Sequence, residues 1–229
     1  TGASRGVYLV VSSSDNYNIT LTNNSITGTS SYSVELYAPN GNNSQLNFNN
    51  NSIIGSSIYS VYLDVSSTNN TNISVTDNNI SAMSIYGVYL DVSSIDNDDI
   101  SFTDNNITGV NNAVIISSSG GNVSGIRFLN NTINSTVGDG FYFDSGSIVT
   151  DISDLVIRGN TIFARNGVGL NFRGLYTGSS VNSTVEYNRI IASIGLNFSG
   201  VNDNSSFDFN WWGVNDINGK VLGFITNNH

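Results

Sequence analysis

One phrase of the sequence recurs at nearly constant spacing, and this recurrence constrains the fold more than any other feature. The phrase ends in an asparagine that is followed two residues later by an isoleucine. Its asparagines are Asn24, Asn51, Asn78, Asn105, Asn131, Asn160 and Asn188. They are separated by 27, 27, 27, 26, 29 and 28 residues, and a degenerate copy follows 22 residues later at Asn210. A fixed period with small insertions predicts a solenoid of stacked repeats.

Within each repeat, apolar residues alternate with other residues at a period of two. In one repeat the first alternating run is Val61, Leu63 and Val65, and the second is Ile73 and Val75. Strict alternation of β-branched and aromatic residues predicts strands, and no helical period competes with it. The isoleucine after each asparagine begins a third, short strand. We therefore predict an all-β, right-handed parallel β-helix of about eight coils with ~27 residues per coil.

The two ends of the chain differ in sequence. Residues 1–213 carry the repeats, whereas residues 214–229 lack the asparagine phrase but contain several apolar residues. Open ends of a solenoid expose strand edges and core, so natural chains cover them. We predict that residues 214–229 form a C-terminal cap with Trp211 or Trp212 against the core. The first alternating run starts at Val7, and we expect the chain to be part of a longer protein.

The recurring asparagines are expected to be structural. Asparagine tolerates the left-handed backbone of a tight bend, and its side chain can hydrogen-bond nearby backbone. Stacked in successive coils, the amides can also bond one another in a ladder. We therefore assign no ligand to this series.

Charge and composition limit the kinds of partner that the protein can bind. The net charge of -10 repels phosphate backbones, which predicts that the protein does not bind nucleic acid. No apolar run is long enough for a membrane span. The chain contains no cysteine, which excludes disulfides and thiolate metal sites. Glycosylation sequons are frequent, although the repeat phrase itself generates many of them; Asn69, Asn79, Asn106 and Asn122 are candidate acceptors. They favour an extracellular location.

The first strand of each repeat carries a candidate binding face. If Val61, Leu63 and Val65 point inward, Tyr62 and Asp64 point outward. The same parity aligns a row of tyrosines with a row of aspartates, and the candidate binding residues are Tyr62, Asp64, Tyr89, Asp91, Tyr142 and Asp144. The tyrosines either serve only to stabilise the stack, or they present rigid rings to a glycan or a protein. In the second case the carboxylates accept hydrogen bonds from the polar groups of that partner. Ca²⁺ between Asp64 and Asp91 is a further candidate, although like charges in register repel. No other cofactor or metal is expected.

The recurrent "FxNNxI" and the closing "FNWWGVND" (residues 209–216) resemble right-handed parallel β-helix proteins of cell surfaces. The similarity is greatest to the adhesin-like proteins of methanogenic archaea, whose repeats belong to the pectin-lyase-like type and often end in Asn-Trp-Trp-Gly. This resemblance covers essentially the whole chain. It implies a secreted, surface-attached module that binds a glycan or a host or neighbour-cell protein and does not catalyse a reaction.

Two other functions stay open. Polysaccharide lyases and hydrolases with this type of fold use grouped carboxylates with an arginine, lysine or histidine. Here the one histidine is the terminal His229, and the one lysine is Lys220, beyond the repeats. We therefore expect that the protein is not an enzyme. Viral tail fibres and spikes also use β-helices, typically as trimers, and solution mass would discriminate them from a monomeric module.

Overall fold

A computed structural model describes residues 5–10, 18–29, 31–37, 44–55, 58–65, 71–92, 99–118, 123–146, 150–198 and 202–212. All regular elements in these ranges are strands. The first three coils contain β1 (Arg5–Val10), β2 (Asn18–Thr22), β3 (Ser25–Gly28), β4 (Tyr32–Tyr37), β5 (Ser44–Asn49), β6 (Ser52–Gly55), β7 (Tyr59–Val65), β8 (Thr71–Thr76) and β9 (Asn79–Ala82). The next two contain β10 (Tyr86–Val92), β11 (Asp99–Thr103), β12 (Asn106–Gly109), β13 (Asn112–Ser117), β14 (Val123–Ser124), β15 (Ile126–Leu129) and β16 (Thr132–Ser135). The remaining strands are β17 (Phe141–Asp144), β18 (Ile152–Arg158), β19 (Thr161–Gly174), β20 (Ser180–Glu186), β21 (Arg189–Asn197) and β22 (Asn202–Asp203).

Every strand pairs in parallel with its equivalent in the neighbouring coil, which makes the protein a parallel β-helix with three walls. The first wall is β1, β4, β7, β10, β13 and β17, continued by the second halves of β19 and β21. The second wall is the nine-stranded sheet that runs from β2 to β22. The third wall begins with β3, β6, β9, β12 and β16 and continues in the first halves of β19 and β21.

The predicted fold class is confirmed, with a slightly lower coil count. Six turns of 26 to 29 residues connect Asn24 with Asn188, whereas about eight coils were expected. The predicted cap over residues 214–229 lies outside the described residues and stays a prediction. Just before it, Trp212 packs against the core and Trp211 is exposed.

The core consists of the inward residues of the three walls, stacked on themselves from coil to coil. Val61, Leu63 and Val65 are at most 3% exposed, as the alternation predicts. Phenylalanine rings form continuous stacks, with Phe143 and Phe198 on either side of Phe172 at centroid distances of 4.1 and 4.3 Å. Because each coil buries its apolar face only against its neighbours, stacking is the source of the stability.

The asparagines form a buried ladder at the corner between the second and third walls. The side-chain nitrogen Nδ2 of Asn105 donates to Oδ1 of Asn131 at 3.0 Å and to the backbone carbonyl of Val75 at 2.7 Å. Its own Oδ1 accepts from the backbone and side-chain nitrogens of Asn78 at 2.8 and 3.0 Å. The ladder extends from Asn24 to Asn210.

The prediction that the ladder asparagines themselves adopt the left-handed backbone of the bend was wrong by one residue. The left-handed conformation belongs to the residue before each ladder asparagine, not to the asparagine itself. These residues are Asn23, Asn50, Asp77, Asp104, Asn130, Tyr187 and Phe209, with φ between 51° and 59°, and Gly159 at 68°. Five of the seven non-glycine residues are Asn or Asp, which adopt this conformation most readily.

Candidate functional site

Two columns of tyrosine rings lie on the outer face of the first wall. The register of β4, β7 and β10 aligns Tyr32, Tyr59 and Tyr86, and it aligns Tyr62 with Tyr89 three residues further on. All five rings are partly buried. Tyr62 and Tyr89 point outward, as the alternation predicts, but neighbouring side chains cover part of each ring.

Rings stack along each column and tilt between columns. In the first column the centroid distances are 5.4 Å for Tyr32–Tyr59 and 5.3 Å for Tyr59–Tyr86, with interplanar angles of 7° and 25°. Tyr62 and Tyr89 stack at 5.3 Å and 21°. Across the columns, Tyr59 meets Tyr89 edge to face at 5.0 Å and 73°. The ring faces therefore cover one another, and ring edges are what the cluster offers to a ligand.

Tyr32, Tyr59 and Tyr86 were missed in the sequence analysis. The alternation that placed Tyr62 outward ends at Val61, because Ser60 and Val61 are both buried. A simple period-two pattern would place Tyr59, three residues before Tyr62, on the inner face. The signal that could have identified the first column was its own 27-residue spacing across three coils.

Aspartates lie beside the tyrosines in one row of the register. Asp64 pairs with Asp91, Asp91 with Ser117, and Ser117 with Asp144. Oδ1 of Asp91 is buried and has no hydrogen-bond partner. Burial, and then the neighbouring Asp64 carboxylate, raise the pKa of Asp91 to about 6. We call the five tyrosines with Asp64 and Asp91 the Tyr/Asp face.

The same environment raises the pKa of three of the phenols, Tyr59, Tyr62 and Tyr89. Burial, with contributions from neighbouring phenols, raises the pKa of Tyr59 to about 12. Burial and the Asp64 and Asp91 carboxylates raise the pKa of Tyr62. Burial also raises the pKa of Tyr89, against a hydrogen bond with Ser117 that lowers it. The face therefore combines neutral phenols with carboxylates, a composition that suits a cationic or hydrogen-bond-donating partner.

Tyr142 and Asp144 lie further along the same wall and do not join the tyrosine columns. Burial, followed by the Asp144 and Asp139 carboxylates, raises the pKa of Tyr142, while Arg173 lowers it. Oδ1 of Asp144 accepts from the backbone nitrogen of Gly146 at 2.9 Å. Ile115 separates Tyr142 from Tyr89 in the register, so the predicted row consists of two parts.

At the opposite end of the face an arginine takes the place of a tyrosine. Arg5 pairs with Tyr32 in the register, and its guanidinium carbon lies 4.3 Å from the ring centroid of Tyr8 and 5.9 Å from that of Tyr32. It also forms an ion pair with Glu35. Glu35, which pairs with Tyr62 in the register of the outer row, is therefore only 8% exposed.

No metal site is evident on this face. Within the described ranges there is no group of three or more His, Cys, Asp or Glu side chains that could hold a metal ion. Ca²⁺ at Asp64 and Asp91 stays a prediction. In the same ranges, none of the elements is a helix suited to crossing a membrane.

Two of the four glycan-acceptor candidates are described. Asn79 and Asn106 are exposed at the start of β9 and β12, and the Asn106 amide donates to Oδ1 of Asn79 at 3.0 Å. Asn69 and Asn122 lie outside the described residues.

Comparisons with protein-family models, with curated proteins and with solved structures return no match for this chain. The class that the fold and the site define is a parallel β-solenoid of stacked coils with an aromatic and acidic outer face.

Proposed function

We propose that this chain is a non-catalytic module of an extracellular cell-surface protein, adhesin-like or structural in the cell envelope, that binds a partner on the Tyr/Asp face. The observation that carries this proposal is the gathering of five tyrosines and two aspartates on one wall. Aromatic clusters that stay partly exposed beside polar groups are typical of interfaces. An acidic, sequon-rich chain and the resemblance to archaeal adhesin-like proteins of pectin-lyase-like type support the surface location.

Partner binding is tested with labelled protein on two probes. One is an array of neutral, amino and uronic-acid oligosaccharides, and the other is intact archaeal cells before and after protease treatment. Wild-type protein binds at least one probe, and Asp64→Asn/Asp91→Asn weakens binding at least about tenfold because carboxylates on the face are lost. Tyr176→Ala, an exposed tyrosine outside the face, is the matched control and binds normally. Absence of binding to both probes, or equal binding by the aspartate variant, contradicts the proposal.

The glycoprotein part of the proposal concerns Asn79 and Asn106. Their exposure supports modification, and their mutual hydrogen bond places the two amides too close for a glycan on both. Glycosylation is tested by measuring the intact mass of protein that a glycosylating host secretes. Asn79→Gln and Asn106→Gln are the controls.

A polysaccharide-active enzyme is the second candidate, favoured by a cleft on the second wall. The cleft has a volume of about 370 Å³ and is lined by Asp99, Arg127 and Asp154, among others. Arg127 is ion-paired with Asp99, and Asp154 has a left-handed backbone at a register shift of β18. Incubation with acidic polysaccharides tests for release of unsaturated or reducing ends. If the wild type releases such ends and Asp154→Asn does not, the protein is an enzyme and the non-catalytic assignment is wrong.

A further inference from the structure

A second aromatic surface covers the third wall and its corner near the C-terminal end of the described stack. Tyr187 and Phe209, both left-handed corner residues, stack at 5.1 Å with an interplanar angle of 8°. They are 52% and 73% exposed, so neither belongs to the core. Two residues beyond Phe209, Trp211 is 41% exposed on the third wall.

Arginines are interleaved with these rings. The guanidinium carbon of Arg189 lies 5.1 Å from the Trp211 ring centroid and 5.7 Å from that of Phe163. The guanidinium carbon of Arg158 lies 5.3 Å from the ring of Tyr187. Arg165 is exposed and lines a cleft of about 440 Å³ together with Phe163. We call Arg158, Arg165 and Arg189, with the four rings Phe163, Tyr187, Phe209 and Trp211, the arginine patch.

The charge of this patch is largely uncompensated. Arg158 is paired with Glu186 at 3.4 Å. In the part of the chain that the structure describes, neither Arg165 nor Arg189 forms an ion pair with a carboxylate. Two cations are therefore available to an anionic partner, and one of them, Arg189, lies over the exposed Trp211 ring.

Charge is distributed unevenly along the solenoid. Residues 1–149 contain 2 arginines and 11 acidic residues, whereas residues 150–229 contain 5 basic and 6 acidic residues. The Tyr/Asp face lies in the acidic part and the arginine patch in the nearly balanced part. Electrostatic complementarity therefore exists between two different surfaces of the same protein.

The first coil already shows how an arginine binds this type of surface. Arg5 lies over Tyr8 and Tyr32 and forms an ion pair with Glu35, which occupies the row of Tyr62 and Tyr89. Ring contact and ion pairing are thus satisfied together by one guanidinium. Further along the columns, beside Tyr62, Tyr89 and Asp91, no arginine of the described residues takes this role.

We propose that the Tyr/Asp face of one copy of this chain binds the arginine patch of a second copy. The inference rests on the proposed function, because it names the partner of the same face. Arg165 and Arg189 of the second copy contact the edges of the tyrosine columns and pair with Asp64 and Asp91. The exposed rings of the patch meet the tyrosine edges and exclude water from the ion pairs.

The contact is heterologous, because the two surfaces lie on different walls of the molecule. Each copy in a dimer keeps one free Tyr/Asp face and one free arginine patch, so assembly continues unless a ring closes. Such growth suits a protein that forms a layer or fibre at a cell surface.

The test uses two variants of the full chain, each with one surface reversed. R165E/R189E keeps the Tyr/Asp face, and D64K/D91K keeps the arginine patch. Sedimentation velocity at low ionic strength is expected to show concentration-dependent association of the wild type and monomers of each variant alone. An equimolar mixture of the two variants is expected to associate again. The intact Tyr/Asp face of R165E/R189E binds the intact arginine patch of D64K/D91K, and the two reversed surfaces are also complementary in charge. Added salt weakens both associations.

Single reversals provide the matched control. Arg189→Glu weakens wild-type association at least about tenfold, whereas Arg127→Glu, on the second wall, changes it less than about twofold. Far-UV circular dichroism melts establish that every variant is folded. Where the lysine variant unfolds, D64N/D91N replaces it. Alone, D64N/D91N self-associates more weakly than the wild type, and in the mixture its intact arginine patch binds the intact Tyr/Asp face of R165E/R189E to form a heterodimer.

Several results would overturn the proposal. They are a wild type that stays monomeric at all soluble concentrations, a mixture no more associated than its components, or an equal effect of Arg127→Glu. If these occur while D64N/D91N still loses binding to cells or oligosaccharides, the face has another partner and the proposed function stands.

Discussion

The asparagine ladder and the tyrosine columns repeat at the same period, yet only the ladder is continuous. It runs without interruption from Asn24 to Asn210 with the same hydrogen bonds in each coil. The first tyrosine column has three rings and gives way to Asn112 after Tyr86, while the second changes to Ile115. A buried amide satisfies backbone groups that have no alternative partner, whereas a partly solvated ring can be replaced at modest cost. Continuity of a row therefore reflects burial and hydrogen bonding, not repetition alone.

Asn105→Ala should give the largest effect. It removes the acceptor of two nitrogens of Asn78 and the donor to the carbonyl of Val75, all buried. We expect a loss of about 3–5 kcal/mol in the free energy of unfolding, measured by urea denaturation. Asn106→Ala, exposed and adjacent, should cost less than about 0.5 kcal/mol. Similar losses in both variants would contradict the structural role of the ladder.

Tyr59→Ala removes the ring at the centre of the cluster. Tyr59 contacts Tyr32, Tyr62, Tyr86 and Tyr89. The expected destabilisation is about 2 kcal/mol, smaller than in the ladder because the ring is only half-buried and leaves no orphaned polar group. Tyr37→Ala, outside both columns, is the control in the same denaturation assay. A destabilisation as large as that of Asn105→Ala would show that the tyrosine columns contribute as much to stability as the asparagine ladder.

Asp91→Asn should stabilise the protein in a pH-dependent manner. The pKa of Asp91 is raised by burial from 3.8 to about 6, so the folded state binds more protons than the unfolded state between these values. The stability of the wild type relative to Asp91→Asn therefore falls as pH rises through this window and stays lower above it. After a discount for solvent screening, we expect the free energy of unfolding of the variant to exceed that of the wild type by about 1 kcal/mol at pH 7.5 and to equal it at pH 3.5. Thermal melts at both pH values measure this.

Asp104→Asn is the control for that pH dependence. Asp104 occupies a left-handed corner at which other coils already carry asparagine. Its thermal melts should differ little from those of the wild type at either pH. A gain for Asp91→Asn that is equal at both pH values would show that charge burial is not its cause.

Tyr89→Phe should have the smallest effect. The phenol of Tyr89 loses its hydrogen bond with Ser117 while the ring keeps its stacking on Tyr62. We expect a change of about 0.5–1 kcal/mol, and a double-mutant cycle with Ser117→Ala isolates the pair. A coupling energy indistinguishable from zero would show that stacking alone holds this column.

Sequence reasoning identified most of the fold and only part of the site. The alternation around Val61 and Leu63 correctly divided inward from outward residues, because a strand has only two faces. It missed Tyr59 because the consecutive residues Ser60 and Val61 are both buried, which breaks the alternation. Glu35 lies in the outer row but is covered, because its ion pair with Arg5 depends on a contact between coils that the alternation does not encode.

The sequence by itself determined the stacked parallel coils, their spacing and the residues that face the core. The physical reason is that a fixed period with period-two alternation places identical residues at identical positions in every coil, where each can bury its side chain only against its own copies. Only the tertiary structure decided how the outer surface is composed. A left-handed corner set Tyr187 beside Arg158, and pairing between coils set Trp211 beside Arg189. The consecutive buried residues Ser60 and Val61 put Tyr59 on the same face as Tyr62. Outer positions are not held by core packing, so their neighbours follow from the path of the backbone and not from the repeat.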